Sequence, residues 1–126
     1  MIDWKRRPEG HDYPAAIDYL TLLMDHETAA NLVTRLADRP VTHHKAKDIL
    51  RASGLDLLPT SNAHVAADRA KINAGEKISP ILIIRGNAAA GVPAQIADGY
   101  HRVCASYSLD ENENIPCQII TLDQKD

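Results

Sequence analysis

Hydrophobic and polar positions in the first 40 residues follow a helical period. Apolar side chains recur every three or four positions, which predicts two amphipathic helices. The first begins at Asp12, which is a good N-cap residue, and the second begins at Asp25 or His26 and ends at Pro40. About 40 residues without disulfides or a metal rarely fold alone, so we expect residues 1–40 to form a helical hairpin packed on the rest of the chain.

Beyond residue 40 the pattern alternates between short apolar runs and helical spacing, which predicts the order β-α-β-β-α-β. The predicted elements are a strand over 47–51, a helix from Ser61 or Asn62 to about Ala74, strands over 79–86 and 92–98, a helix from Gly99 to about Leu109 and a strand over 115–122. This order favours an α/β (α+β) class with a compact mixed sheet. We therefore predict one domain over 1–126, with a helical appendage over 1–40 and a core over 41–122.

Composition narrows the class of protein further. The chain has 126 residues, a formal net charge of −3, two cysteines and no Phe. Two cysteines suit neither a disulfide framework nor a cysteine-rich zinc site. The sequence contains no apolar run near the roughly 20 residues that span a bilayer, and we identify no signal peptide. We therefore expect a cytoplasmic protein without a membrane partner, and the acidic balance argues against general nucleic-acid binding.

The densest chemistry lies where the strand over 92–98 meets the following helix. Asp98 and Gly99 form the turn, and Tyr100, His101 and Arg102 fill the first helical turn. The unpaired N–H groups and positive dipole end of such a helix favour a phosphate, and Gly99 permits close backbone approach. Arg102 and His101 add donors. The alternative is that Gly99 only shapes the turn and Arg102 pairs with a carboxylate.

The region 45–121 resembles the ParB/sulfiredoxin-like superfamily. The residues that carry the resemblance, in order, are Pro80, Asp98, Gly99, His101, Arg102, Ala105, Ile115 and Pro116. The resemblance implies a small α/β domain that binds nucleoside diphosphates or triphosphates at this turn. On that basis Gly99, Tyr100, His101 and Arg102 are candidate nucleotide-binding residues.

Two departures from the superfamily change what the resemblance implies. Tyr100 stands where sulfiredoxin has its catalytic cysteine, and a phenol with a pKa of about 10 cannot replace a thiolate. Sulfinic-acid reduction is therefore not expected. Cys104 lies one turn later and could approach the site, although we expect it, like Cys117, to be a core thiol. ParB partition proteins continue into a DNA-binding region, whereas this chain stops at Asp126, so we expect no sequence-specific DNA binding.

Further site residues follow from the same resemblance. The free-serine kinases of the superfamily have a similar turn, which makes Asp98 a candidate general base or Mg²⁺ ligand; the alternative is a helix cap. The helix that begins near Ser61 supplies a second wall of the site in the family. Aligned on that pattern, His64 and Lys71 fall at phosphate-contacting positions, with solvent-exposed side chains as the alternative.

The sequence thus predicts a nucleotide-binding protein that takes ATP, ADP or CTP, with or without Mg²⁺. Asp98 and His101 are the candidate catalytic residues of a phosphotransferase or nucleotide hydrolase. The alternatives are a non-catalytic module that senses a nucleotide or binds a small-molecule or protein partner, and a DNA-associated nuclease-like factor. No protein metal site is expected, because adjacent His43 and His44 point to opposite faces of a strand.

Overall fold

The computed structural model describes residues 2–123 of the chain, and they form an α/β fold with five α-helices around a four-stranded mixed sheet. The elements are α1 (Asp12–Leu20), α2 (His26–Ala37), β1 (Val41–Lys45), α3 (Ala46–Ser53), α4 (Ala63–Asn73), β2 (Ile81–Arg85), β3 (Gln95–Asp98), α5 (Tyr100–Leu109) and β4 (Asn114–Thr121), with a short 3₁₀ turn at Ala88–Ala90. The predicted α/β class is confirmed. None of the helices in this part of the chain has the length and apolar character needed to cross a membrane.

The sheet has the strand order β1-β4-β2-β3. Strand β4 pairs antiparallel with β1 and parallel with β2, and β2 pairs antiparallel with β3. The register places Ile83 opposite Ile119 and Leu82 opposite Asp98. The end of β3 therefore lies beside the start of β2, while the carboxyl ends of β2 and β4 share the opposite edge.

Helices cover both faces of this sheet. Along β2, Ile81 and Ile83 join the core beneath α3, α4 and α5, whereas Leu82 and Ile84 join the core beneath α1 and α2. A strand buried on both sides needs a continuous apolar run, and this requirement explains the uninterrupted aliphatic sequence of β2. We call these two surfaces the hairpin face (covered by α1 and α2) and the three-helix face (covered by α3, α4 and α5).

The hairpin begins and ends near the predicted positions. Asp25 caps α2 by accepting a hydrogen bond from the Thr28 amide at 2.8 Å. Helix α1 begins at Asp12, but His11 occupies its cap position, so the predicted capping role of Asp12 is not found. The Asp12 side chain is instead buried and accepts a hydrogen bond from the Glu9 amide at 3.1 Å.

A buried glutamine joins the hairpin to the sheet. Gln118 of β4 is completely buried on the hairpin face. Its Oε1 accepts a hydrogen bond from the Tyr13 hydroxyl at 2.8 Å, and its Nε2 donates to the carbonyl oxygens of Ala37 and Arg39 at 3.1 and 2.8 Å. The amide group is thus satisfied by both helices of the hairpin, which fixes their position on β4.

The predicted strand over 47–51 is wrong. This segment lies in α3, and the strand precedes it at Val41–Lys45. Strand β1 is an edge strand whose last four residues are exposed, so it has no apolar alternation that would reveal it. In α3 the buried residues are spaced as one helical face and the helix ends at left-handed Gly54, with φ of 67°. Both features are visible in the sequence and favour a helix.

The other predicted elements are confirmed, with two strands shorter than predicted: the strand over 79–86 is observed at Ile81–Arg85. Asn62 caps α4, and α5 and β4 lie where they were expected. The predicted strand over 92–98 begins only at Gln95. Val92 forms an isolated bridge with Asn87 in the connection from β2, because Pro93 has no N–H to donate to a continuous ladder.

Candidate nucleotide-binding site

Helices α4 and α5 run parallel, and their N-termini lie side by side on the three-helix face. The imidazole rings of His64, near the start of α4, and His101, near the start of α5, are 4.8 Å apart between centroids. Toward the other ends of the two helices, Arg69 donates a hydrogen bond to the Ser108 hydroxyl. Asn62 already caps the amides of His64 and Val65 in α4, whereas the first amides of α5 have no side-chain cap. The histidine pair therefore lies beside one uncapped helix N-terminus and the positive dipole ends of two helices, an arrangement that attracts an anion.

The charges in the first helical turns distinguish these two helices from the others. Helices α4 and α5 have no acidic residue in the first turn. The first turns of the remaining helices contain Asp12, Glu27 and Asp48. Negative side chains at those positions offset the helix dipole, so the dipoles of α4 and α5 keep their full effect on a ligand.

Gly99 is required by the fold itself. It has φ of 110°, which side-chain-bearing residues rarely adopt, and it lacks a side chain that could cap the amides of α5. A Cβ at this position would lie 2.5 Å from Ile81 Cδ1 and 3.0 Å from Arg102 Nη2. The fold therefore requires a glycine at this position whether or not a ligand binds here.

His101 is held toward its neutral form. Burial lowers the pKa of its imidazole, and nearby His64 lowers it further, while the carboxylate of Asp68 acts in the opposite direction. Tyr100 lies beside it, with ring centroids 5.6 Å apart. The Tyr100 hydroxyl donates to the Asp56 carbonyl at 2.6 Å, and burial raises the pKa of that phenol. Tyr100 thus remains a neutral side chain that ties α5 to the loop before α4.

Arg102 contacts protein groups on the side of Gly99 and β2. Its Nη2 donates to Asp98 Oδ2 at 2.9 Å and to the Pro80 carbonyl at 3.2 Å, and it lies 3.9 Å from Asp12 Oδ2. The side chain is only 17% exposed. These contacts agree with the alternative in which Arg102 pairs with a carboxylate of the protein. The guanidinium joins α5 to the end of β3, to the residue before β2 and to the start of α1.

Asp98 belongs to the same polar cluster. Burial raises the pKa of its carboxyl group, an effect that Arg102 opposes and that neighbouring Asp12 reinforces. The Asp12 carboxylate also accepts a hydrogen bond from the Ser79 hydroxyl. Asp98 is therefore surrounded by protein groups at the junction of the hairpin and the sheet.

Lys71 is separated from the histidine pair. It lies seven residues after His64 on α4, which places it about 10 Å further along the helix axis at 1.5 Å per residue. It is an exposed residue in the last turn of that helix. The structure thus brings Gly99, Tyr100, His101 and His64 together but not Lys71.

Both cysteines lie in the core, as predicted. Cys104 and Cys117 are free and completely buried beneath the three-helix face. Burial raises the pKa of both thiols, to about 12 for Cys117. A thiol in this environment is a packing group, since the reactive form is the thiolate.

Three residues that the sequence analysis did not assign to the site contribute to this region. Asp68 lies close enough to His101 to affect its pKa. It follows His64 by four residues on α4, so helical spacing alone would have placed it on the same side of the helix as His64. Asp12 and Ser79 reach the region from elements far apart in sequence. No local pattern predicts their contact, because it depends on the packing of α1 against the sheet.

Comparisons with protein-family models, curated proteins and solved structures find no match for this chain. The resemblance to the ParB/sulfiredoxin-like superfamily therefore stays a prediction based on the residues quoted above. Among residues 2–123 no three His, Cys, Asp or Glu side chains are grouped so that they could hold a metal ion.

Proposed function

We propose that this protein binds the phosphate groups of a nucleotide at the paired N-termini of α4 and α5. The observation that carries the proposal is the meeting of two parallel helices, neither with an acidic first turn, around the His64–His101 pair. In this proposal the first amides of α5, at Tyr100 and His101, donate to phosphate oxygens, and both imidazoles add side-chain donors. The resemblance to the ParB/sulfiredoxin-like superfamily supports a nucleotide, with ATP, ADP and CTP as candidates.

Proton uptake accompanies binding in this proposal. Without a ligand, burial and His64 lower the pKa of His101. A phosphate next to the His101 imidazole favours its protonated form, so it raises the pKa of that group. By linkage, the affinity for a nucleotide increases as the pH falls through the range in which histidine titrates.

The proposal concerns binding without turnover. The candidate base Asp98 is paired with Arg102 at 2.9 Å, and no second free carboxylate accompanies it among the contacts of this cluster. Mg²⁺ would reach the site with the nucleotide phosphates, which is the usual mode for that ion. Of the functions predicted from the sequence, the nucleotide-sensing module is favoured over a phosphotransferase or hydrolase.

A thermal-shift and calorimetric series tests the proposal. ATP, ADP, CTP and GTP are each titrated with Mg²⁺ into the full chain; a ligand at 100 times its dissociation constant stabilises the fold by about 2.7 kcal/mol. His64→Gln and His101→Gln should each weaken binding about ten-fold, the loss expected for one charge-assisted hydrogen bond. His26→Gln is the matched control, because His26 is also an exposed histidine in a first helical turn.

A second variant separates binding from stability. Ala63 is the exposed first residue of α4. Ala63→Glu adds a negative charge at the helix N-terminus, which should stabilise the fold by about 0.3–1 kcal/mol while it weakens nucleotide binding. No binding by any of the four nucleotides, or equal affinity in Ala63→Glu and the parent chain, would contradict the proposal.

A further inference from the structure

A groove of about 430 Å³ opens on the three-helix face, at the end of the sheet opposite to Gly99. Ile83 and Ile96 form its floor, and Ile49 and Ala52 of α3 form one wall. Val92, in the connection between β2 and β3, lies at the other side. The volume is within the range of small-molecule sites, roughly 300–1,000 Å³.

The groove exists because none of the helices within residues 2–123 covers the carboxyl ends of β2 and β4. Ile119 lies on β4, an inner strand of the sheet, yet its side chain is only partly buried, and Val92 is 52% exposed. In α/β sheets, ligands bind in crevices beyond the carboxyl ends of parallel strands. Strands β2 and β4 are the parallel pair here, and both end at this groove.

One cationic side chain at the rim, Arg85, has no ionic partner among the residues that the structure describes. Alternation along β2 places Arg85 on the same face as Ile83, and both line the groove. Among residues 2–123 no carboxylate lies within ion-pair distance of the Arg85 guanidinium. The acidic residue at the rim, Asp48, is paired with Arg51 at 3.1 Å.

The lining also indicates the shape and charge of an occupant. Among the described residues that border the groove there is no Trp or Tyr, and the His44 imidazole at the rim is the one aromatic ring, so a nucleobase or other flat ring would find little surface on which to stack. Branched aliphatic side chains suit a flexible hydrocarbon. A single free guanidinium matches one carboxylate in a two-point hydrogen bond, whereas the charge of Asp48 disfavours a doubly charged phosphate.

We propose that this groove binds an aliphatic monocarboxylate, such as a medium-chain fatty acid, with its chain over Ile83 and Ile96 and its carboxylate on Arg85. His44, which lies on the same face at the groove rim, adds a second donor. The groove includes neither His64 nor His101, and β3 separates it from the turn at Gly99. This inference is therefore independent of the proposed nucleotide site.

Titration of the full chain with octanoate, 1-octanol and octylamine tests the head group. We expect saturable binding of octanoate, followed by calorimetry or amide chemical shifts around Ile83 and Ile96, and weaker binding of the two uncharged or cationic analogues. Arg85→Gln should lower the affinity for octanoate about ten- to hundred-fold and leave that for 1-octanol unchanged. Arg6→Gln, at an exposed arginine of the N-terminal segment, is the matched control.

A blocking variant tests the position of the chain. Ala52 is an exposed residue of α3 that lines the groove, and Ala52→Leu adds volume there without disturbing a buried contact. It should abolish octanoate binding while the melting temperature is retained. Equal octanoate affinity in Arg85→Gln and Arg6→Gln, or no octanoate binding to the parent chain, would overturn the proposal. So would a nucleotide that competes with octanoate and loses affinity in Arg85→Gln rather than in His64→Gln.

Discussion

The two faces of the sheet differ in how their polar groups are used. On the hairpin face Gln118 is completely buried and its hydrogen bonds all go to the hairpin, to Tyr13 of α1 and to the carbonyls of Ala37 and Arg39 at the end of α2. On the three-helix face the polar groups at the two ends, His64 with His101 and Arg85, remain partly or largely exposed. One face uses polar groups to hold the fold together, and the other presents them to solvent.

The contrast follows from the helices that cover each face. Helices α1 and α2 bury a single apolar surface against β2 and β4, and a polar group there must be satisfied by the protein. Helices α3, α4 and α5 are distributed over a wider surface and leave the carboxyl ends of the parallel strands uncovered. The proposed binding functions therefore lie on the three-helix face, while the hairpin supplies stability.

The largest expected effect tests whether solvent that enters at the ends of the three-helix face reaches the buried thiol of Cys117. In Cys104→Ser, only Cys117 remains to react with iodoacetamide. With a pKa of about 12 the thiolate fraction of Cys117 at pH 8 is about one in ten thousand, so alkylation should be about a thousand-fold slower than for an ordinary thiol. Mass spectrometry measures the rate, and the urea-unfolded chain is the control. Rapid alkylation of the native chain would show that the groove reaches the core.

The next effect tests the polar contact that holds the hairpin. Gln118→Leu removes three part-buried hydrogen bonds, so it should lower the free energy of unfolding by about 3 kcal/mol. The Arg39 carbonyl loses the Gln118 donor, while the Ala37 carbonyl keeps its hydrogen bond from Arg7 at 3.0 Å.

The matched control is Gln95→Leu in β3. Gln95 also accepts a hydrogen bond from a tyrosine of α1, Tyr19, but at an exposed position. Its cost should stay below about 1 kcal/mol. Urea denaturation measures both, and equal costs would remove the distinction between the two faces.

A smaller effect tests the cluster that joins the two faces. Arg102→Ala removes the hydrogen bond to the Asp98 carboxylate and the nearby cation of Asp12, and we expect a loss of about 2 kcal/mol in the free energy of unfolding, the value of one hydrogen bond to a charged group. Arg102→Lys should restore part of it, since an ammonium ion cannot make the same planar contacts. If stability is unchanged while nucleotide affinity falls ten-fold or more, Arg102 contacts phosphate as the sequence predicts. The assignment of Arg102 as a structural ion-pair residue would then be wrong.

The smallest effect is the pH dependence of stability that comes from His101. Because its pKa is lowered in the folded chain, the unfolded chain binds more protons as the pH falls below about 6.5. The free energy of unfolding therefore decreases in that range, and His101→Gln should remove this decrease whereas His26→Gln should not. A bound nucleotide should reverse the sign, because phosphate favours the protonated ring. Denaturation curves between pH 5 and 8, about the range in which histidine titrates, provide the measurement.

The candidate site could be predicted in part from local sequence. The turn at Asp98 and Gly99 with its following helix is a contiguous pattern, and the structure places it as expected. The partner of Arg102 could not be chosen from sequence, because Asp98 is local but Pro80 and Asp12 approach only through the pairing of β2 with β3 and the packing of α1. The meeting of His64 with His101 likewise depends on the parallel arrangement of two helices.

What the sequence by itself determines about this protein is each element whose apolar period is strong. The helix α2, the buried strand β2 and the helix α5 follow from hydrophobic spacing and end signals. In each of these segments only one backbone conformation, helix or strand, places all of the apolar side chains in the core. Only the tertiary structure decides β1, because an exposed edge strand is stabilised by hydrogen bonds to β4 rather than by its own side chains. The same holds for the uncovered groove beside Arg85, whose existence depends on where the helices do not reach.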